Sequence, residues 1–136
     1  MLYIVIPCYN EQEVVTNSCH RLHALVSTLP LPVTLLFVDD GSRDATMFQL
    51  KKLFRAQKCP VKVVSFSRNF GKEAAIYAGL KQTSGQYVTL IDADLQQRPE
   101  IVRDMVKILD EQEEYDVVAA YQDHPFIMLW LLIIHS

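Results

Sequence analysis

Apolar residues recur along this chain in two alternating rhythms. Nearly unbroken runs at 2–6, 33–38, 61–66, 87–91 and 117–121 are rich in β-branched residues and read as buried strands. The segments between them carry apolar residues three and four apart, the spacing of a helix with one buried face. In the first such segment Val15, Cys19, Leu22, Val26 and Leu29 share a side, and the helix is expected to begin at Asn10, with Asn10 capping and Glu13 reaching back. The fourth is expected to begin near Pro99, a favoured first-turn residue, with Ile101, Met105, Ile108 and Leu109 inward. The order βαβαβαβαβ predicts an α/β domain with a mostly parallel sheet. No repeat, low-complexity tract or linker interrupts it.

Composition narrows the possibilities. A length of 136 residues suits one domain with a real core. A net charge of −3 with mixed signs leaves no basic footprint for nucleic acid. Cys8, Cys19 and Cys59 are odd in number and lack C-x-x-C spacing, which fits small buried hydrophobes in a reducing compartment. The opening Leu2-Tyr-Ile-Val-Ile6 is too short for a secretory segment and runs into Pro7, so the chain is expected to begin in the cytosol. At the other end, Phe126 to Ile134 is uninterruptedly apolar but far shorter than the roughly 20 residues a membrane-crossing helix needs.

The chemistry collects where strands end. Tyr87-Val-Thr-Leu-Ile-Asp-Ala-Asp-Leu-Gln96 delivers Asp92, Asp94 and Gln96 into a loop, and in open α/β sheets ligands bind just beyond such strand ends. Alternating oxygen ligands suit Mg2+ or Mn2+, which complete their shells with water and substrate phosphates. A solvated acidic pair capping the next helix is the bland alternative. A second strand, Val33–Val38, ends in Asp39-Asp40-Gly41-Ser42. Adjacent carboxylates oppose folding unless something binds them. They could hold a ligand's base or ribose, or serve as turn and cap residues, a task open also to Ser42 or Asp44. Pro7-Cys-Tyr-Asn-Glu11 follows the first strand, and Ser67-Arg-Asn-Phe-Gly-Lys-Glu73 the third. In the latter, Arg68 and Lys72 flank a glycine beside a helix start and could meet phosphate, or form a solvated basic turn.

Together Ile4-Val-Ile-Pro-Cys-Tyr-Asn-Glu11, Val38-Asp-Asp-Gly-Ser42, Ser67-Arg-Asn-Phe-Gly-Lys-Glu73 and Asp92-Ala-Asp-Leu-Gln96 resemble glycosyltransferase family 2 in order and spacing, over residues 2 to about 121. More narrowly, they are similar to its polyprenyl-phosphate (bactoprenol or dolichol phosphate) branch. The resemblance implies a GT-A fold that binds a nucleotide sugar. Pro7, Tyr9, Asn10 and Glu11 would line the nucleotide pocket, Asp39 or Asp40 would hold base and ribose, and Arg68, Lys72, Asp92 and Ala93 would complete the donor site. Asp92, Asp94 and Gln96 would hold Mg2+ or Mn2+. The acceptor would be a polyprenyl phosphate, whose phosphate oxygen attacks the sugar with inversion, and UDP-glucose the donor.

The chain departs from that pattern in two places. Gln97-Arg98 stand before Pro99 where the family has an acid or His. After Tyr121 the family continues with acceptor-side residues and membrane-surface helices, but here Gln122-Asp-His-Pro125 leads into the apolar stretch. The expected division is a donor-binding half at 1–121 and an aberrant tail at 122–136, from a truncation or frameshift, so no catalytic residue is assigned. The tail would be an exposed patch unless it folds back on the sheet or dips into a membrane surface. Such a chain is expected on the cytoplasmic side, free or against the membrane face, as an enzyme or as a non-catalytic nucleotide-sugar-binding remnant. A phosphoacceptor receiver would place its acidic pair after the first strand, where Pro7-Cys8 stands. A dinucleotide oxidoreductase would need a G-x-G-x-x-G there.

Overall fold

The computed structural model describes residues 1–56, 60–95, 98–120 and 131–135. Six strands and four helices follow in the order β1 (Leu2–Cys8), α1 (Val15–Val26), β2 (Val33–Asp39), α2 (Thr46–Ala56), β3 (Val61–Ser65), α3 (Lys72–Lys81), β4 (Tyr87–Leu90), α4 (Ile101–Glu111), β5 (Val117–Ala120) and β6 (Leu131–His135). Each of the five runs read as strands from the sequence contains a strand, and residue 121 of the last run lies outside the described residues.

They form one sheet in the order β3-β2-β1-β4-β6-β5. β1 lies at its centre, parallel to β2 and to β4, with Leu2 opposite both Val33 and Tyr87. The chain first steps outward through β2 and β3, then returns to β4 on the other side of β1. That reversal makes a topological switch point at the carboxyl ends of β1 and β4, where α/β sheets open a crevice.

β1 and β2 are buried on both faces, which is why their sequences are apolar without alternation. Leu2, Ile4, Ile6, Leu35 and Phe37 meet α1, α2 and α4 on one face, around Leu22, Leu50, Met105 and Leu109. Tyr3, Val5, Leu36 and Val38 meet α3 through Ala75 on the other. Contact there is close: a methyl group on Gly79 would lie 2.5 Å from a Val5 methyl.

Three expectations about elements change. α1 begins at Val15, and its N-cap residue Val14 makes no side-chain capping bond. Asn10 is drawn away into a contact with the β2–α2 loop, with its backbone in the left-handed region at φ 51°. On α4 the inward set is Val102, Met105, Val106 and Leu109, while Ile101 and Ile108 are exposed, because the buried stripe sits one position over. The apolar segment near the end supplies β6, antiparallel between β4 and β5, with Val88 opposite Ile134. β5 therefore pairs with β6, away from the parallel strands. Residues 121–130, which include the first part of that segment, and 136 lie outside the described residues, as does Cys59. Cys8 and Cys19 are buried, as small hydrophobes should be.

Candidate functional site

Four loops meet at the switch point, and their contacts are built by residues distant in sequence. The β1–α1 loop is latched to the β2–α2 loop. The Asn10 N–H donates to Ser42 Oγ at 2.9 Å, and Asn10 Oδ1 accepts from the Arg43 N–H at 2.9 Å. The Glu11 N–H donates to Thr46 Oγ1 at 2.8 Å, and Gln12 exchanges bonds with Asp44 and the Ala45 N–H. Asp44 also accepts from the Thr46 N–H at 2.9 Å, so it caps α2 as the sequence allows. Burial pushes the Asp44 carboxyl up, but the bonds from Thr46 and Gln12 prevail and hold it below the usual range.

Asp39 and Asp40 are both buried, and each is held by the protein itself. Asp39 Oδ1 accepts from the Ser42 hydroxyl at 2.5 Å. Asp40 fastens the loop after β3: its oxygens accept from the Phe70 N–H at 2.8 Å, the Gly71 N–H at 3.1 Å and Asn69 Nδ2 at 3.1 Å. This donor set answers the repulsion between adjacent carboxylates. Gly41, at φ 69°, lets the same loop press against it; a Cβ there would stand 2.2 Å from the Arg68 carbonyl carbon. Arg68 stacks on Phe70 with its guanidinium carbon 3.8 Å from the ring centre.

The loop after β4 carries Asp92 and Asp94. It turns back through a bond from the Leu95 N–H to the Asp92 carbonyl at 3.0 Å, with buried Leu95 in the left-handed region at φ 50°. The hydroxyl of Ser18, buried on α1, donates to the Ala93 carbonyl and ties this loop to the helix. Ser18 lay hidden in the sequence because a lone serine on a helical face carries no periodic signal. Lys72, the first residue of α3, places its Nζ 2.6 Å from Asp92 Oδ1.

A cleft of about 430 Å³ opens between these loops, lined by Pro7, Cys8, Tyr9, Glu11, Asp40, Asn69, Gly71, Lys72, Ala75, Asp92, Ala93 and Asp94. Eight of the expected residues meet there: Pro7, Tyr9, Glu11, Asp40, Lys72, Asp92, Ala93 and Asp94. Asp39 and Arg68 instead line a neighbouring cleft of about 310 Å³, which shares Asn69 with the first. Asn10 lines neither, since its side chain is committed to the latch. Gln96 lies outside the described residues. Asn69 and Gly71 were visible only as members of the Ser67–Glu73 motif.

Among the described residues lining the main cleft, Lys72 is the one cation facing four carboxylates, Glu11, Asp40, Asp92 and Asp94. Burial, and then the charges of Asp94, Asp92 and Asp44, raise the Glu11 carboxyl above its ordinary value, while Lys72 partly offsets them. Burial, followed by Asp39 and Glu11, pushes the Cys8 thiol well up. It forms a buried part of the cleft wall. Among the described residues no group of three or more His, Cys, Asp or Glu is arranged to hold a metal ion unaided. Asp92 and Asp94 offer two carboxylates to the cleft.

The profile of "Glycosyl transferase family 2" matches residues 3–130. The undecaprenyl-phosphate 4-deoxy-4-formamido-L-arabinose transferase of Yersinia enterocolitica is 37% identical over 121 residues, covering 89% of this chain and 36% of that relative. The chain thus spans little more than a third of that relative's length. The S. aureus TarS 1–349 structure in complex with UDP superimposes with a TM-score of 0.74 at 24% identity, over 94% of this chain and 37% of that one. A mannosyltransferase from Pyrobaculum calidifontis, in complex with GDP-Man and Mn2+, gives a TM-score of 0.74 at 20% identity, over 91% of this chain and 36% of that one. These two likenesses carry the fold, a GT-A sheet with helices on both faces.

Proposed function

Because the chain belongs to glycosyltransferase family 2, we propose that its main cleft binds a nucleotide sugar together with Mg2+ or Mn2+, for transfer of the sugar to a polyprenyl phosphate. The observation that carries this reading is the charge of the cleft. Four carboxylates against one lysine repel a diphosphate, yet α3 opens its N-terminus and Lys72 onto the same space, as a phosphate site does. Both facts are reconciled if the phosphates arrive with a cation. Asp92 and Asp94 are hard oxygen donors, too few to fill a shell, and Mg2+ and Mn2+ accept phosphate and water oxygens as the remainder. Gln96 is the proposed third protein ligand.

When bound, the metal supplies charge neutralisation on the departing diphosphate. The chain's own residues do the positioning. Ser18 and the turn at Leu95 hold the Asp92–Asp94 loop, Asp40 holds Gly71 and hence the start of α3, and Pro7 and Tyr9 bound the cleft. Asp39 or Asp40 is assigned the base and ribose, Asp39 lining the adjoining cleft and Asp40 the main one, and Arg68 is assigned to phosphate. An oxygen of the lipid phosphate attacks the anomeric carbon from the face opposite the leaving group. A new carbon–oxygen bond forms as the bond to the nucleoside diphosphate breaks, and the configuration inverts. UDP-glucose is the donor we take first, by resemblance to bactoprenol glucosyltransferases. Residues 1–121 are assigned to donor binding, with β6 completing the sheet. Among the described residues no helix is long and apolar enough to cross a membrane. The lipid acceptor places the whole protein, in this proposal, at the cytoplasmic membrane face.

Calorimetry tests the core of the reading. UDP should bind about tenfold or more tightly with Mn2+ present, a gain of about 1.4 kcal/mol or more. Asp94→Ala should abolish that difference. Equal affinity with and without metal would remove the assignment. Lipid-linked product from radiolabelled UDP-glucose would establish transfer, whereas binding without product would favour a donor-binding role alone.

A further inference from the structure

We propose that Lys72 is an exchangeable counterion: its ammonium neutralises Asp92 in the donor-free protein and leaves for the donor's diphosphate when a divalent cation takes its place. This rests on the metal-assisted donor binding proposed above, and adds an internal competitor to it.

The geometry supplies both halves of the exchange. Lys72 Nζ lies 2.6 Å from Asp92 Oδ1, on a carboxylate expected to bind the metal. Its side chain is 61% exposed and that of Asp92 35% exposed, so the pair is held by an attraction that water largely screens. The backbone beneath it is fixed, because Asp40 takes the N–H groups of Phe70 and Gly71. The four methylenes of Lys72 can therefore swing about an anchored Cα without disturbing α3. A divalent ion on Asp92 would repel the ammonium and attract a diphosphate, and the same ammonium then finds its anion on the donor, within the same cleft. In the empty state its charge partly offsets the carboxylates that, after burial, raise Glu11.

The idea makes opposite-signed demands on one variant. Lys72→Met keeps the methylene stem and removes the charge. Titration with Mn2+ alone, read as free Mn2+ by electron paramagnetic resonance, should show the variant binding about two- to fivefold more tightly than the unaltered protein. UDP in saturating Mn2+ should bind the variant about tenfold more weakly, as the loss of a charge-assisted contact requires. Lys81→Met, at the far end of α3, removes the same charge without touching Asp92 and should leave Mn2+ affinity near that of the unaltered protein. Unchanged or weaker Mn2+ binding by Lys72→Met, undetectable Mn2+ binding by both proteins, or an equal gain in Lys81→Met overturns the proposal. Failure of the metal-assisted reading shows differently: UDP affinity would then ignore Mn2+ in the unaltered protein.

Discussion

Gly41 shows how far a single residue can govern the site. Its φ of 69° belongs to the region that side chains disfavour, and the space where a Cβ would sit is filled by the backbone of Arg68 and Asn69. Gly41→Ala must therefore both strain its own backbone and push back the loop that Asp40 fastens. We expect a loss on the order of 3 kcal/mol, together with weaker UDP binding. In thermal melts the midpoint should fall by roughly 10 °C. An unchanged midpoint would show that the two loops separate without cost. At the same scale, the pairing of Asp39 with Asp40 reads as a conflict in sequence and is relieved in the fold, because each carboxylate has its own donors.

Among the elements, the latch between the β1–α1 and β2–α2 loops decides where the acidic residues point. Ser42 is its hinge: its oxygen accepts from the Asn10 N–H and its hydrogen goes to Asp39. Ser42→Ala leaves a donor and a carboxylate without this partner, which costs about 1–2 kcal/mol and lowers the melting midpoint by roughly 5 °C. Ser42→Thr retains the hydroxyl and should recover most of the loss. Equal melting of the alanine and threonine variants would place the effect outside these hydrogen bonds. The N-cap expected of Asn10 fails for the same reason, since the side chain is spent on the Arg43 N–H, 33 residues away.

Over the whole molecule, the balance of charge in the cleft sets how stability depends on pH. Glu11 has a carboxyl raised by burial and by Asp94, Asp92 and Asp44. A carboxyl raised on folding contributes stability that is fully present below its unfolded value and is lost as pH rises through the folded one. At neutral pH the charged Glu11 therefore opposes folding, and Glu11→Gln should melt higher than the unaltered protein. The gap should close as pH falls below about 4, where both side chains are neutral. Saturating Mn2+ with UDP should narrow it at neutral pH, because cations in the cleft relieve the same repulsion. A gap that widens on acidification would contradict this account.

Periodicity and strand-end chemistry are local properties, and they were legible from residues alone. The apolar runs of β1 and β2 announce strands buried on both faces, and the acids after β2 and β4 announce a site at their carboxyl ends. The motifs after β1, β2, β3 and β4 also sufficed to reach the family. Tertiary structure decided which polar groups remain available to a ligand, because that depends on partners dozens of residues apart. Asn10 and Asp40 are taken up by loop contacts 33 and 30 residues away, and Ser18 reaches Ala93 across 75. Lys72 is paired with Asp92 before any ligand arrives. The place of β6 was likewise beyond sequence reasoning: an apolar run states that it must be covered, but only the free edge of β4 determines that a strand covers it, and in which direction.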